Sequence, residues 1–111
     1  MESTRQQKIS RLIQKELGVL FQRDSRSLYE GALITVTKVS VSKDLSIAKV
    51  HLSLFMTKDK EALLNVIRHH GRDIRHQMAQ HVHNQLRIMP ELTFFLDDSL
   101  DYIENIDNLL G

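Results

Sequence analysis

Apolar residues recur at two different periods along the chain, and these periods predict both helices and strands. Over about residues 4–22, apolar side chains repeat at the three- and four-residue intervals of one helix face. They are Ile9, Leu12, Ile13, Leu17, Leu20 and Phe21. Ser3 and Gln6 have the spacing of a capping box, which predicts where this helix begins. The polar run 24–31 (DSRSLYEG) then predicts a loop.

Two strand-like runs follow, at residues 33–42 and 45–56. The second run alternates apolar and polar positions, as expected of a strand with one buried face. In the first run the parity of the apolar positions changes between Val36 and Val39, which predicts a bulge near 37–38. Lys43 and Asp44 leave room only for a tight connection, so the two strands should form an antiparallel hairpin.

The second half of the chain predicts two helices, a strand and a last helix. The first helix covers 59–70 and is interrupted at Gly71, and the next covers about 72–87, with one apolar residue in every four. Pro90 ends that helix because proline has no amide hydrogen and restricts the residue before it. ELTFFLD (91–97) then predicts a third strand, and the spacing of Leu100, Ile103, Ile106 and Leu110 predicts a short helix.

This order of elements predicts an α+β fold in which helices cover one face of a three-stranded sheet. With 111 residues the chain has room for one modest core, so we expect a single domain over 1–111. Within it, 98–111 is expected to be an acidic C-terminal helical segment.

The net charge of +1 hides an uneven distribution. All 15 Lys and Arg lie within 1–96, which carries a net charge of +6, whereas 97–111 carries −5. A basic body favours a nucleic-acid partner, although a solvated surface of mixed sign is the simpler interpretation. The absence of a long apolar run, a secretory leader and cysteine leads us to expect a cytoplasmic protein with no membrane partner.

The sequence offers little for catalysis or metal binding. No two of the six histidines have the three- or four-residue spacing with which a helix presents two ligands to one ion. There is no cysteine nucleophile, no GxSxG motif and no glycine-rich phosphate loop. We therefore expect no catalytic residue, no metal, no cofactor and no small-molecule substrate.

One pattern on the helix predicted over 72–87 indicates a binding surface. Polar residues that can donate hydrogen bonds project together, opposite the apolar face, and no acid lies among them. They are Arg72, His76, Gln80, His83 and Arg87, and Arg68 extends the row just before Gly71. Such a row can meet successive RNA phosphates, but it can equally be a solvated helix face. Arg75 projects into the apolar sector, where we expect it to reach the rim or pair with an acid.

Three separated segments resemble the ribosome-binding factor A family, in the same order and over nearly the whole chain. KISRLIQKELGVLFQR (8–23) is similar to the first helix of that family, and SKDLSIAKVHLSLF (42–55) resembles its hairpin. RIMPELTFFLDDSL (87–100) resembles its most distinctive segment, in which Pro-Glu-Leu precedes an aromatic strand and Asp-x-Ser.

The resemblance implies a type II KH-like fold and a protein that is not an enzyme. It implies binding to the immature small ribosomal subunit and help with late maturation of its ribosomal RNA, including growth in the cold. In the family, a kink containing a small residue and a glycine separates the two central helices. Gly71 lies at that junction here, although alignment on Ile74 and Arg75 would put Arg72 in the glycine's place.

The predicted function is therefore a monomeric assembly factor whose RNA-facing residues are those of the row. These are Arg68, Gly71, Arg72, His76, His83 and Arg87, to which the hairpin lysines Lys38, Lys43 and Lys49 can be added. One alternative is a protein-interaction module that docks a partner through the C-terminal amphipathic helix. A small hydrolase is a second alternative, for which the sequence offers no titratable candidate.

Overall fold

A computed structural model describes residues 2–97 and contains three helices and three strands. In chain order they are α1 (Thr4–Leu28), β1 (Leu33–Val41), β2 (Ile47–Phe55), α2 (Lys60–His69), α3 (Gly71–Val82) and β3 (Glu91–Leu96). The predicted α-β-β-α-α-β order is confirmed. The helix predicted over 100–110 lies outside the described residues.

The three strands form one mixed sheet in the order β1-β2-β3. β1 and β2 are an antiparallel hairpin, and β2 pairs in parallel with β3, which returns through the α2–α3 crossover. The hairpin register shifts between Val36 and Lys38, so the bulge predicted near 37–38 is confirmed. This shift explains why the apolar parity of β1 changes halfway along the strand.

All three helices lie against the same face of the sheet, as the sequence predicts. The core is formed by the inward side chains of the strands and the apolar faces of the helices. Ile13 and Leu17 of α1, Val50 and Leu52 of β2, and Met78 of α3 are completely buried in it. The opposite face of the sheet is covered by no helix of residues 2–97, and it is called the open face below.

α1 begins as predicted but ends later. Ser3 Oγ accepts from the Gln6 amide and Gln6 Oε1 accepts from the Ser3 amide, at 3.2 and 2.7 Å, which is the capping box. The loop predicted over 24–31 is wrong for its first five residues, because α1 continues to Leu28. Polar residues dominate these last turns, which leave no apolar periodicity to detect. The helix stops where Glu30 and Gly31 adopt positive φ angles.

The β1–β2 turn is organised around one carboxylate. Asp44 Oδ1 accepts hydrogen bonds from the hydroxyls of Ser42 and Ser46, both at 2.7 Å, and from the Ser46 amide at 3.2 Å. These bonds hold the pKa of Asp44 below its usual value. Leu45 takes the left-handed conformation, with φ 63°, that closes the turn.

The junction of α2 and α3 is a single residue, His70. Its amide donates to the carbonyls of Val66 and Ile67, and its own carbonyl accepts from the Ile74 amide. His70 therefore ends one helix and begins the next. The His70 ring also meets the buried Tyr29 ring edge-to-face at 6.2 Å, which fixes the junction against the end of α1.

α3 is shorter than the sequence predicts. It ends at Val82, and the helix predicted as far as 87 is wrong over its last five residues. The segment after it must instead bury Met89 and Pro90 and enter the sheet, where the Glu91 amide bonds the Ser46 carbonyl. The chain therefore leaves the helix well before the proline.

Candidate nucleic-acid interface

The outer face of α3 presents the predicted row without Arg87. Arg72, His76 and Gln80 lie on α3, and His83 follows directly after it. Gln80 Nε2 lies 3.3 Å from His76 Nε2, and His83 Nδ1 lies 2.7 Å from the Gln80 carbonyl. These contacts align neighbouring polar groups along one side of the helix.

No acidic side chain of α3 joins this row. Asp73, the only acid of the helix, accepts a hydrogen bond at 3.0 Å from Gln77, and Gln77 in turn accepts from Arg23 of α1. Asp73 is thus held on the side of α3 that faces α1. The row therefore presents hydrogen-bond donors and positive charge, which suit a phosphate group.

Arg87 lies beside a groove and is not on α3. The groove has a volume of about 840 Å³ and is lined by the start of α1, the β1–β2 turn and residues 85–90. Arg5 and Lys8 line it together with Arg87, and the predicted residue Lys43 lies in the turn that closes it. The groove therefore gathers positive charge from segments that are distant in sequence.

The sequence pattern did not identify Arg5 and Lys8. They are exposed positions on the polar side of α1, which is a common place for lysine and arginine. No spacing relates them to Arg87, since only the folded chain brings residue 5 next to residue 87. The remainder of the groove is largely aliphatic, with Ile9 and Leu86 among its lining residues, and Asp44 of the β1–β2 turn is an acid that lines it.

Two arginines of the central helices are engaged by the protein itself. Arg68 donates from Nε and Nη2 to the Phe94 carbonyl of β3, at 3.1 and 2.7 Å. Arg75 donates to the carbonyls of Met89 and Pro90, at 2.7 and 3.3 Å. Arg75 therefore binds backbone carbonyls just before β3, and not an acidic side chain as considered above.

Gly71 is the first residue of α3, directly after the His70 junction. Its φ angle is not positive, and a Cβ added to it would meet the Phe94 ring at an ordinary distance of 4.0 Å. Neither backbone conformation nor internal packing requires glycine here. A small residue at this position leaves the helix backbone accessible from outside.

The predicted hairpin lysines do not join the α3 row. Lys38 pairs with His51 across the hairpin and Lys49 pairs with Ser40, so both belong to the open face. α3 lies on the other side of the sheet. The structure thus divides the predicted site between two faces, with Lys43 in the turn at their edge.

The salt bridge found within residues 2–97 joins Arg23 and Asp24 of α1, at 3.0 Å, and includes no residue of the predicted site. The part of the chain that is described brings no three His, Asp or Glu side chains together as a metal site. None of its helices combines the length and the apolarity that crossing a membrane requires.

The fold and the exposed cationic helix define a type II KH-like domain. The crystal structure of ribosome-binding factor A from Thermus thermophilus is similar, with a TM-score of 0.69 and 23% identity, over 82% of this chain and 94% of that one. A Thermus thermophilus ribosome-binding factor A homology model, fitted into a cryo-EM map of a 30S complex, has a TM-score of 0.52 and 24% identity. The likeness covers 74% of this chain and 96% of that one.

Sequence comparison identifies the family. The model for ribosome-binding factor A matches residues 5–110. The ribosome-binding factor A of Cytophaga hutchinsonii is 43% identical over all of this chain and 84% of its own length. That of Christiangramia forsetii is 46% identical over 96% of this chain and 82% of its own. The chain belongs to the ribosome-binding factor A family.

Proposed function

We propose that this protein binds the immature small ribosomal subunit and assists late maturation of its ribosomal RNA. Membership of the ribosome-binding factor A family supports this, as does the likeness of the fold to a chain fitted into a 30S complex. We assign it no catalytic step, since the family consists of assembly factors that are not enzymes. Its proposed location is the cytoplasm, where ribosomal subunits are assembled.

The observation that carries the proposed contact is the acid-free row on α3. Arg72 and His76 are exposed, and the acid of the helix, Asp73, is held on the α1 side through Gln77. An exposed guanidinium can bind a phosphate through two parallel hydrogen bonds. The imidazole of His76 adds a donor about one helical turn from Arg72. The row thus suits the sugar–phosphate backbone of a folded RNA and is poorly suited to reading base edges.

The RNA-facing surface that we propose extends from the row towards the groove. His83 ends the row, and Arg87 follows four residues later at the groove, beside Arg5 and Lys8. Lys43 lies in the turn that closes the groove. Gly71 opens the row at its other end, where the backbone can approach a phosphate closely.

Two internal contacts make this surface rigid. Arg75 ties α3 to the residues before β3, and Arg68 ties α2 to the middle of β3. The side chains of the row are carried by α3, which Arg75 holds in place, and Arg68 holds the preceding helix α2. Binding to the row therefore costs little backbone ordering. A rigid cationic surface that fits one arrangement of ribosomal RNA better than others shifts the population towards that arrangement. This is conformational chaperoning, and it needs no bond to be made or broken.

Gradient sedimentation of cell extract tests the function directly. We expect the protein to travel with free small subunits as a monomeric ligand and to be depleted from complete ribosomes. Treatment of the extract with nuclease should release it. A protein that keeps the same partners after nuclease treatment is an interaction module, and the proposal is then wrong.

A further inference from the structure

The open face of the sheet exposes large apolar side chains and carries charges of both signs, with Glu91 at the start of β3 as well as two lysines. Ile47 and Phe95 lie on it and are 41% and 38% exposed, which is high for large apolar side chains in a sheet. Lys38 and Lys49 lie on the same face. His51 stacks on the Phe95 ring at 5.6 Å and leaves an aromatic platform at the centre.

Asp97, the last described residue, lies on this face. Phe94 and Leu96 face the core side, so Asp97 lies on the same side of the strand as Phe95. The Asp97 amide donates to the Leu52 carbonyl at 2.7 Å, and its carboxylate accepts from Thr37 Oγ1 of β1 at 2.6 Å. The side chain of the last described residue therefore reaches across β2 to β1 on the open face.

Ser53 is a buried polar residue on the open face. It has the open-face parity of β2 and is directly opposite Thr35, which is exposed. Ser53 is nevertheless only 2% exposed. The end of the open face nearest Asp97 is thus already removed from solvent.

Residues 98–111 carry the complementary chemistry. They contain four acids and no Lys or Arg, and their apolar residues recur at the spacing of one helix face. These 14 residues would be about 21 Å long as a helix. The six residues of β3 extend over about 20 Å. The segment is therefore long enough to run back along the whole face.

We propose that residues 98–111 dock on the open face of their own chain. Their apolar side chains cover Ile47 and Phe95, and their carboxylates lie beside Lys38 and Lys49. Docking of this kind buries apolar surface that the described fold leaves exposed and pairs charges of opposite sign. It also separates the acids from the α3 row, where they would repel the phosphates.

The basic groove beside Arg87 is a less suitable place for this segment. β3 begins next to the groove, where the Glu91 amide bonds the Ser46 carbonyl, and it runs away from the groove to Asp97. Residues 98–111 would have to return along the entire strand before their first turn met the groove. Asp97, to which they are joined, already lies at the open face.

Docking has a consequence for the predicted RNA contacts. Lys38 and Lys49 would be paired with carboxylates and would not face phosphate. Their replacement by alanine should then leave binding to the small subunit unchanged, in contrast to the replacement of Arg72. Docking stands on the geometry of the open face and would hold even if the protein bound no RNA.

A nitroxide spin label on residue 105 tests the docking in the whole chain. The protein has no native cysteine, so Asn105→Cys gives one attachment site between the apolar and acidic positions of the segment. Amide signals of Lys49, His51 and Phe95 in an isotope-labelled chain should lose their intensity while the label is oxidised and recover on its reduction. Signals of Arg5 and Arg87 should keep theirs.

The control carries the same label together with Ile103→Ser and Ile106→Ser. These substitutions remove apolar side chains from the segment alone, and a preserved amide spectrum of residues 2–97 verifies folding. The loss of intensity on the open face should then disappear. The proposal is overturned by loss of intensity at the groove, by none on the open face, or by loss seen only when labelled and unlabelled chains are mixed.

Discussion

Replacing Arg72 and Arg87 together by alanine should weaken small-subunit binding mainly by removing phosphate contacts. Both side chains are exposed, and neither has a hydrogen bond or ion pair within residues 2–97. Arg72 lies in the α3 row and Arg87 at the groove, so the pair samples both parts of the proposed surface. Because neither supports the fold, the free energy of unfolding should stay within about 0.5 kcal/mol of the parent.

The expected magnitude follows from counterion release. Removing one phosphate contact reduces the slope of log affinity against log salt by about 0.7 for a single strand and about 0.9 for a duplex. Removing two therefore reduces the slope by about 1.4–1.8. Between about 50 and 200 mM salt, a roughly fourfold change, the advantage of the parent over the variant should shrink by about tenfold.

The assay is the dissociation constant for isolated small subunits across this range of salt. The control is Arg11→Ala with Lys15→Ala, which removes the same charge from exposed positions of α1. The control should change the slope much less than the double arginine variant. Equal slopes for the parent and the double arginine variant would refute phosphate contact by these residues, even if the affinities differed.

Four further substitutions test the internal contacts. Arg75→Met should lower the free energy of unfolding in urea by about 1.5–3 kcal/mol, because two backbone carbonyls lose a charged donor. The control Arg72→Met should lower it hardly at all. Equal effects of the two substitutions would disprove the role of Arg75. Tyr29→Phe should be neutral or stabilising, since the buried Tyr29 hydroxyl has no partner among residues 2–97. Burial raises the pKa of Tyr29 from 10.0 to about 12, so its contribution to stability is complete below pH 10 and is lost as the pH rises through 12. An alkaline titration should show this loss in the parent and not in Tyr29→Phe. Asp44→Asn should remove a contribution to the free energy of unfolding. In the parent this contribution is present above the usual carboxyl pKa and is lost as the pH falls through the lowered pKa of Asp44. The stabilities of the parent and Asp44→Asn should therefore differ at neutral pH and converge in acid. Gly71→Ala should raise the thermal midpoint, because alanine is up to about 1 kcal/mol better than glycine in a helix and its Cβ has room; a lower midpoint would show that the junction needs glycine after all.

Most elements could be predicted because their signals are local. The capping residues Ser3 and Gln6 and the change of parity after Val36 each involve neighbours in sequence. Alternation along β2 likewise reflects a single buried face. The family resemblance added the type II KH-like arrangement, which the same local signals do not distinguish from other folds with this order of elements.

The site could be predicted only in part. Arg72 and His76 lie on the polar side of α3, as predicted, because helical periodicity holds to the end of that helix, whereas their contact with RNA stays a prediction. Arg87 was assigned to a helix that stops before it, since the apolar spacing of Leu86 also suits a loop residue that packs on the core. Lys38 and Lys49 belong to the face opposite α3, and for Lys49 the polar parity of its position in β2 already indicates this, since helices cover the apolar face.

The positions of the strands, the bulge in the hairpin and the apolar side of each helix can all be read from the amino-acid order. These properties depend on side-chain periodicity and on caps a few residues apart. The ends of α1 and α3, the carbonyls that Arg68 and Arg75 bind, and the meeting of Arg5 and Lys8 with Arg87 emerge only when the whole chain packs. Each of these features depends on the balance between local backbone hydrogen bonding and the burial of groups that are distant along the chain. Only the folded chain brings those distant groups together.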